Sequence, residues 1–376
     1  MADAEPTRVL LVTPNFDNNS LGRTYCLWLL CRELGWSPRI VGVRGDRIWL
    51  PLAGSDFAAD CVLPDVEADP AARTAALTEH VTWADVVVAV KPLPTSFGAA
   101  LTVIDDVQRP LVVDIDDPDI EARTSWRPMR ERLPRLALSA NYRARERDLR
   151  RLGAATGKFP RIVSNPVLQR MYGGVIIPHV REPGQLPPVG DSRAPIVRFV
   201  GSPGAHKGLD VLRAAIARLA DDGFRLGITA TPPDDARPWE EWLGNTSMER
   251  GRQLVATADI IALPSRDFGW AKAQLPAKLM DAMMLGRTVL ASDIEPIRWA
   301  LDEPELMVKP GSVTELTRGL SRLADPDLRA RYSARARDRA ERRFSVAANT
   351  DLFREVVLGA IAGRGSLRTG QFQGES

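Results

Sequence analysis

The chain has 376 residues, of which 44% are hydrophobic and 26% are charged, an ordinary composition for soluble globular domains. Its 50 basic and 48 acidic side chains give a net charge of +2, which argues against a nucleic-acid binder and against an acidic disordered protein. No apolar run reaches the roughly 18 residues of a membrane-spanning helix, and the length predicts two domains.

Cysteines and histidines are few and scattered. Cys26 and Cys31 lie on different faces of a predicted helix, so a disulfide between them is not expected. None of the three histidines is near a cysteine, which argues against a structural zinc site. The N-terminus lacks the charged-then-apolar pattern of a signal peptide. We therefore expect a cytoplasmic protein without a metal centre.

Short runs of β-branched and apolar residues alternate with longer stretches of helical periodicity. The runs lack polar alternation, which is typical of strands covered on both faces of a parallel sheet. Repeated strand–helix–strand units predict parallel sheets with right-handed crossovers. The predicted strands of the first half are Val9–Thr13, Arg39–Val43, Val86–Val90, Leu111–Ile115, Ile162–Ser164 and Val175–Ile177. Those of the second half are Ile196–Val200, Leu226–Ala230, Asp259–Leu263, Thr288–Ala291 and Leu306–Val308.

The alternation of strands and helices is interrupted once, at residues 181–194, which contain three prolines, two glycines and no periodicity. We therefore predict an α/β protein with two doubly wound, Rossmann-like domains. Ligands of such sheets bind beyond the carboxyl ends of the strands, and two sheets facing each other would enclose a cleft. The predicted parts are an N-terminal domain at 1–181, a linker at 182–194, a C-terminal domain at 195–345, a helix at 346–363 that returns to the first domain, and a mobile tail at 364–376.

Residues 121–152 contain ten arginines and few strand formers. Two interpretations remain open. The segment is either a solvated helical excursion of an arginine-rich chain, or a surface for an anionic acceptor, a phosphate or a membrane. The second interpretation would allow peripheral membrane association without a membrane span.

The strongest motif is FVGSPGAHKGL at 199–209, in which a strand is followed by a loop of small residues and a helix. The backbone amides of such a loop and helix start form an anion site, and Lys207 adds a positive charge. The pattern favours a diphosphate as the ligand, and an ordinary strand-to-helix turn with a surface lysine is the alternative. It matches neither the P-loop nor the GxGxxG pattern.

A second motif, at 274–291, predicts a helix between Pro276 and Gly286, ahead of a buried strand. Lys278 and Asp281 are three residues apart and therefore share one helix face. A carboxylate there can accept hydrogen bonds from two vicinal hydroxyls, which is how a ribose is held. A plain surface ion pair between the two side chains is the alternative.

Together the two motifs resemble the nucleotide-sugar half of GT-B fold glycosyltransferases, most closely the retaining family 4 (glycosyl transferases group 1). The family's G-x5-KG loop corresponds to 201–208, and its P-x-K-L-x-E-x-M-x-x-G-x-P-V-V-A segment corresponds to 276–291. Residues 308–311 and 325–345 resemble the end of the family's second domain. The resemblance is close over roughly 160–345 and general in the first half.

The resemblance implies roles for individual residues. Lys207 would hold the donor diphosphate, and Asp281 would bind the ribose as the second acidic residue of the family's E-x7-E pair. The donor-binding residues implied are Gly201, Ser202, Lys207, Lys278, Leu279 and Asp281. The chain departs from the family where Ser202 replaces a frequent arginine and where the first acidic residue falls on Ala273. Asp267 resembles an acidic residue of the family but is spaced too far from Asp281. These departures affect the contacts that the family makes with the hydroxyls of the donor sugar.

In the N-terminal half, residues 9–14 and 18–23 resemble the family's first strand and glycine loop. Gly22 would let the backbone approach the donor phosphate closely. Arg23 would either add charge there or be an exposed residue at a helix start.

Four carboxylates, at Asp114, Asp116, Asp117 and Asp119, lie at the end of a buried strand, which is costly unless their charge is compensated. Three interpretations remain open: a metal-binding D-x-D motif, an acidic cluster that caps a helix, or a cleft lining. In the last case Asp116 or Asp117 replaces the acceptor-side histidine that is frequent in the family. That carboxylate would orient the acceptor hydroxyl or accept its proton.

The sequence as a whole predicts a glycosyltransferase that moves a sugar from a UDP-, GDP- or TDP-sugar to a hydroxyl of a small molecule, natural product, glycan or lipid. The candidate catalytic residues are Asp116, Asp117 and Lys207. Retention is implied by the resemblance. No cofactor or metal is expected, because the cationic loop would stabilise the leaving diphosphate. A GT-B sugar-nucleotide epimerase and a non-catalytic nucleotide- or partner-binding module are the alternatives.

Overall fold

The computed structural model describes residues 5–126, 129–184 and 190–363. The predicted tail at 364–376 and residues 185–189 of the predicted linker lie outside the described residues. The strands are β1 Arg8–Thr13, β2 Ser37–Gly42, β3 Cys61–Val62, β4 Val86–Val90, β5 Leu111–Ile115, β6 Arg161–Val163, β7 Val175–Ile176, β8 Ile196–Phe199, β9 Arg225–Ile228, β10 Glu240–Trp242, β11 Ile260–Leu263, β12 Thr288–Ser292 and β13 Met307–Val308. The helices are α1 Leu21–Glu33, α2 Pro70–Trp83, α3 Ala99–Val107, α4 Asp119–Arg123, α5 Met129–Leu138, α6 Ala140–Ala155, α7 Pro166–Tyr172, α8 Leu209–Ala217, α9 Met248–Ala256, α10 Ala277–Met284, α11 Glu295–Leu301, α12 Val313–Arg322, α13 Pro326–Phe344 and α14 Val346–Ile361.

The chain forms two compact units. The first contains the residues up to His179 and those from Asn349 onward, and the second is Val180–Ala348. The last helix, α14, begins in the second unit and continues in the first, where the Phe353 ring lies 5.9 Å from the ring of Trp36. The described residues of the predicted linker, 182–184 and 190–194, thus belong to the second unit.

The first unit is built on a seven-stranded parallel sheet with the order β3-β2-β1-β4-β5-β6-β7. Every side chain of the valine-rich strands β4 and β5 is buried, which fits their lack of polar alternation. The order reverses between β1 and β4. The loops that follow these two strands therefore flank the point where doubly wound sheets bind ligands.

The second unit is built on a six-stranded parallel sheet with the order β10-β9-β8-β11-β12-β13. Here the order reverses between β8 and β11. The loop after β8 is the predicted phosphate loop, and the loop after β11 leads into α10, so both predicted motifs lie at this reversal. One continuous apolar core, which includes Met280 and Met283 of α10, packs beneath them.

The eleven predicted strands are present, with ends that differ by at most two residues from the prediction. The prediction missed β3 and β10, which have two and three residues and lie at the edges of their sheets. Edge strands this short have no apolar run that would mark them. Cys26, Cys31 and Cys61 form no disulfide bond within the described part of the chain. None of the described helices is long and apolar enough to cross a membrane.

Candidate functional site

Two glycines in the left-handed region shape the loop after β8. Gly201 has φ +132° and its amide donates to Thr229 Oγ1 at 2.7 Å, which ties the loop to the end of the neighbouring strand. Gly208 has φ +66°, and a Cβ there would lie 2.1 Å from the carbonyl oxygen of Pro264. Only glycine fits such a position, because the backbone conformation and the close approach both exclude a side chain. The KG pair therefore sets where Lys207 lies.

Two lysines converge above Gly201. A Cβ on Gly201 would lie 3.9 Å from Lys207 Nζ and 4.0 Å from Lys278 Cγ, so the missing side chain leaves space between the lysines and the loop. Lys207 Nζ donates to the Ser202 carbonyl at 2.6 Å, and in the described part of the chain it forms no ion pair. Burial and the charge of Lys278 lower the pKa of Lys207. An anion bound next to the two lysines would offset both the burial of Lys207 and its repulsion by Lys278.

Backbone amides add to this positive region. Within the described ranges, the amides of Ser202 and Gly204 donate no hydrogen bond to the protein, and neither do those of Ala277 and Lys278 at the start of α10. Free amides of this kind are typical anion donors. The Leu279 amide differs from the expectation, because it already donates to the Pro276 carbonyl at 3.0 Å and its side chain is buried. The phosphate contact expected of Leu279 therefore falls more naturally to the two preceding amides.

Asp281 is a buried carboxylate shared by two cations. Its Oδ1 accepts from Arg181 Nε, and its Oδ2 accepts from Lys278 Nζ at 3.0 Å. Burial opposes ionisation, but Arg181 and Lys278 together hold the pKa of Asp281 well below its usual value. The ion pair with Lys278 that the sequence left open is present. It is not a surface pair, however, since the Asp281 side chain is 5% exposed.

Sequence reasoning missed Arg181. Its backbone amide donates to the Phe344 carbonyl, and its own carbonyl accepts from Val346, so the residue is fixed next to the end of α13. From there its guanidinium reaches Asp281, 100 residues further along the chain. The available signal was an arginine directly after a buried IPHV turn, which a local pattern does not connect to α10.

The surroundings of Arg23 contradict both interpretations that the sequence allowed, an added charge for the donor phosphate and an exposed residue at a helix start. Its side chain is 1% exposed, and its guanidinium makes hydrogen bonds to both carboxylate oxygens of Asp114 at 2.6 to 3.1 Å. It also donates to the carbonyls of Ile177 and Pro178. Arg23 is therefore neither an exposed residue nor a free charge for a ligand. It joins α1, β5 and the segment after β7 inside the first unit.

The other three aspartates surround Lys91, a residue that the sequence analysis also missed. The Lys91 ammonium lies 2.6 Å from Asp116, 2.8 Å from Asp117 and 3.1 Å from Asp119. Burial raises the pKa of Asp116 and Asp117 despite this charge. For Asp119, burial is outweighed by Lys91 and Arg123, which lower its pKa. The helix-capping interpretation finds no support, since the N-cap of α4 is Pro118 and shows no side-chain hydrogen bond.

Gly22 lies in the first turn of α1 and has no positive φ. A Cβ there would meet only the ring of Trp49, at an ordinary 3.8 Å. Neither the backbone conformation nor the neighbouring described residues of the first unit therefore require a glycine at position 22. Asp267 pairs with Lys272 at 3.7 Å on the exposed surface and does not join the Asp281 cluster. His179 is buried, with Nδ1 4.0 Å from Cys26 Sγ, as expected of a structural residue.

Part of the second unit matches a known family. Residues 194–325 match the family model described as Glycosyl transferases group 1. No curated protein sequence matches the chain significantly. Among solved structures the chain is similar to the HepE protein of Anabaena in complex with UDP and glucose, with a TM-score of 0.69 at 13% identity over 94% of this chain and 100% of HepE. The chain has the GT-B fold, and its residues 194–325 match the glycosyl transferases group 1 model.

Two further structures share this fold. Sucrose-phosphate synthase from Thermosynechococcus elongatus has a TM-score of 0.64 at 14% identity, over 95% of this chain and 100% of that protein. WaaG, a glycosyltransferase involved in lipopolysaccharide biosynthesis, has a TM-score of 0.60 at 15% identity, over 93% of this chain and 100% of WaaG. The predicted fold class and the predicted resemblance to GT-B glycosyltransferases are thereby confirmed.

Proposed function

We propose that the protein transfers a sugar from a nucleotide-diphosphate donor to an acceptor hydroxyl, with the donor bound by the second unit and the acceptor by the first. The observation that carries the proposal is the convergence of Lys207 and Lys278 above Gly201, where Lys207 has no carboxylate partner among the described residues. A partly buried ammonium without a carboxylate counterion favours an anionic ligand. The donor diphosphate supplies that charge.

The two lysines and the free loop amides stabilise the negative charge that develops on the leaving diphosphate. Such preorganised donors act most strongly when the charge appears in the transition state, and removing one costs about 2.7 to 4 kcal/mol, or 100- to 1,000-fold in kcat. This cationic set performs the role for which other transferases use a divalent ion, so we propose transfer without a metal cofactor. UDP-glucose is the first donor to test, because HepE has been crystallised with UDP-glucose.

Asp281 is proposed to bind the ribose of the nucleotide. Arg181 and Lys278 keep its carboxylate ionised and fix its orientation, and an ionised carboxylate retains lone pairs for further donors. Ala273, at the position of the first acidic residue of the family pair, is fully buried and has no polar side-chain atom for the donor sugar. Recognition of the sugar is therefore assigned to backbone groups of the loop after β11.

The acceptor hydroxyl is proposed to lose its proton to Asp117 or Asp116. The Asp117 side chain is 26% exposed and that of Asp116 is 6% exposed, so Asp117 is the member that reaches solvent. A raised pKa brings a carboxyl closer to the value that suits proton transfer near neutral pH. We propose transfer with retention of the anomeric configuration, as the resemblance to family 4 implies.

The proposed location is the cytoplasm. Cys26, Cys31 and Cys61 form no disulfide bond among the described residues, and thiols stay reduced in that compartment.

The test is incubation of the purified chain with UDP-, GDP- and TDP-sugars, with release of free sugar and nucleoside diphosphate measured by chromatography. Slow release without an added acceptor supports a transferase. Exchange of hydrogen at C2 of the sugar would support an epimerase instead, and nucleotide binding without turnover would support a non-catalytic module.

Lys207→Met tests the site itself. We expect a loss of release of 100-fold or more, with an unchanged circular dichroism spectrum, because Lys207 makes one carbonyl contact and no ion pair in the described structure. Lys309→Met, which removes an exposed lysine of the same unit, is the matched control. Equal rates in the two variants would contradict the assignment of the diphosphate to this loop.

A further inference from the structure

Two large apolar side chains of α5 lie in solvent. Met129 is 58% exposed and Leu133 is 56% exposed, and among the described residues Leu50 is the one large apolar side chain that is more exposed. Met129 and Leu133 are four residues apart, so they are neighbours on one face of the helix. A single exposed leucine is ordinary in a soluble protein, but two side by side form an apolar pair that the described residues leave uncovered.

Arginines accompany this apolar pair. Residues 129–155, which include α5 and α6, contain eight arginines and three acidic side chains and so carry a net charge of +5, whereas the whole chain carries +2. Positive charge is therefore concentrated in these two helices. Arg130 is three residues before Leu133, which places its side chain next to the apolar pair on the helix surface.

The protein neutralises only part of this charge. Arg132 of α5 and Arg150 of α6 both bind the carboxylate of Glu146, whose side chain is 6% exposed, and the first of these ion pairs fastens α5 to α6. Four further arginines are exposed and form no ion pair within the described part of the chain: Arg130, Arg135, Arg145 and Arg147. Their charge is available to an anionic partner.

The apolar pair decides which anionic partner fits. A soluble anion or a charged polymer would bind the arginines but would leave Met129 and Leu133 in water. A bilayer with anionic lipids offers both kinds of contact, because its acyl chains begin directly below the charged headgroups. A helix at such an interface lies flat on the membrane, with its apolar side chains among the acyl chains and its cations at the headgroups.

We propose that α5 and α6 form a docking surface for a bilayer that contains anionic lipids. Met129 and Leu133 insert between the headgroups, and the exposed arginines bind the lipid phosphates. Two apolar side chains anchor a protein only weakly, so the docking is reversible and depends on the negative potential of the membrane. Of the two interpretations that the sequence left open for residues 121–152, the proposal adopts the surface for an anionic partner. It does not depend on the proposed sugar transfer.

Sedimentation of the full chain with lipid vesicles tests the proposal. We expect binding to vesicles made of equal parts of phosphatidylcholine and phosphatidylglycerol to be at least about tenfold tighter than binding to phosphatidylcholine alone. Binding to the mixed vesicles should weaken as the NaCl concentration rises, because salt screens the attraction between arginine and lipid. Equal binding to the two kinds of vesicle, or no binding to either, would overturn the proposal.

Two double variants separate the apolar contribution from the charge. Met129→Ser with Leu133→Ser should weaken binding to the mixed vesicles roughly tenfold, because two apolar side chains are no longer buried among acyl chains. Arg130→Gln with Arg135→Gln should weaken it about fivefold for each arginine. The four side chains are exposed, so the circular dichroism spectrum and the melting temperature should not change.

Matched controls come from elsewhere in the first unit. Leu50→Ser removes an apolar side chain that is 65% exposed, and Arg44→Gln with Arg47→Gln removes two exposed arginines. Both controls should bind the mixed vesicles as the wild type does, and an equal loss in the controls would contradict the assignment to α5 and α6. If only the glutamine variant loses binding, the surface recognises a soluble or polymeric anion and the proposal fails. A dimer that the serine variant abolishes, without vesicle binding, would assign the surface to a second copy of the chain instead.

Leu133→Trp reports insertion directly. The fluorescence of this variant should be quenched by mixed vesicles whose phosphatidylcholine carries bromine on its acyl chains, and more strongly than the fluorescence of the wild type with its nine tryptophans. The excess quenching measures contact between position 133 and the acyl chains. A variant that sediments with the vesicles but shows no excess quenching would refute the insertion of α5.

Discussion

Replacing Asp281 by asparagine changes the charge of the side chain and very little of its shape. In the wild type, both carboxylate oxygens accept hydrogen bonds from cations, one from Arg181 and one from Lys278. The asparagine oxygen can keep one of these bonds, while its NH2 group must face the other cation. The variant therefore tests a buried ion pair and a proposed ribose contact at the same time, and the two effects are measured separately.

The expected loss of stability follows from burial. Asp281 is 5% exposed and Arg181 is 10% exposed, so the guanidinium stays buried after its partner is removed. Breaking such a pair costs about 3 to 5 kcal/mol. Because asparagine keeps one of the two hydrogen bonds, we expect Asp281→Asn to lower the free energy of unfolding by about 3 kcal/mol. For binding, a hydrogen bond to a charged group is worth about 1.5 to 3 kcal/mol, so losing one of two ribose contacts weakens nucleotide binding roughly 10- to 150-fold.

Urea unfolding followed by tryptophan fluorescence measures the stability change, and isothermal titration with UDP and GDP measures the affinity. Asp267→Asn is the control, because Asp267 makes only an exposed pair with Lys272 and should change neither quantity. A stability loss with unchanged affinity would refute the ribose assignment. An unchanged urea midpoint would refute the reasoning about the buried pair.

The pH dependence has a definite sign. Because folding lowers the pKa of Asp281, its stabilisation is fully present above the unfolded value of about 3.9 and is lost as the pH falls through the folded value. The wild type should therefore lose more stability than Asp281→Asn below about pH 4, and the difference between them should be constant from about pH 5 to pH 8. A difference that changes between pH 5 and pH 8 would contradict the low pKa of Asp281.

Two further predictions concern groups that hold the loops in place. Arg23→Met should lower the free energy of unfolding by about 3 to 5 kcal/mol, because it leaves Asp114 charged and buried without its guanidinium. Adding Asp114→Leu should recover much of this loss. Additive losses in a double-mutant cycle, measured by urea unfolding, would show that the two side chains do not stabilise each other. Gly208→Ala should lower both the stability and the UDP affinity by more than Gly244→Ala does. Gly244 has φ +67° but open space around it, so Gly244→Ala is expected to cost only the backbone strain of about 1 to 2 kcal/mol. Equal losses in the two variants would show that the contact with Pro264 is unimportant.

The strands of both sheets were predictable because a buried parallel strand has a local signature. Val86–Val90 and Leu111–Ile115 are uninterrupted apolar runs except for Asp114, and both are found where the sequence placed them. The edge strand Glu240–Trp242 has no such run, since its first residue binds Arg213 and only its last contributes to the core edge. Periodicity records burial, so elements with little burial escape it.

The candidate site was predictable only where its residues lie close together in sequence. Lys278 and Asp281 share a helix turn, and Lys207 lies within one loop with Gly201, so their motifs could be read directly. Lys91 and Arg181 are different. Their partners are 26 and 100 residues away, as the bonds from Lys91 to Asp117 and from Arg181 to Asp281 show. Pairing over such distances depends on strand order, which the sequence pattern does not specify.

The two units treat buried charge in opposite ways. After β5 the carboxylates pair with Lys91, Arg23 and Arg123, so this buried charge is compensated within the protein. After β8 the ammonium of Lys207 faces Lys278 and has no carboxylate among the described residues, an arrangement that lowers its pKa and destabilises the loop. A ligand that neutralises Lys207 removes that penalty only in the folded state. Nucleoside diphosphates should therefore raise the melting temperature of the wild type, by an amount that grows with their concentration, whereas the nucleoside alone should not.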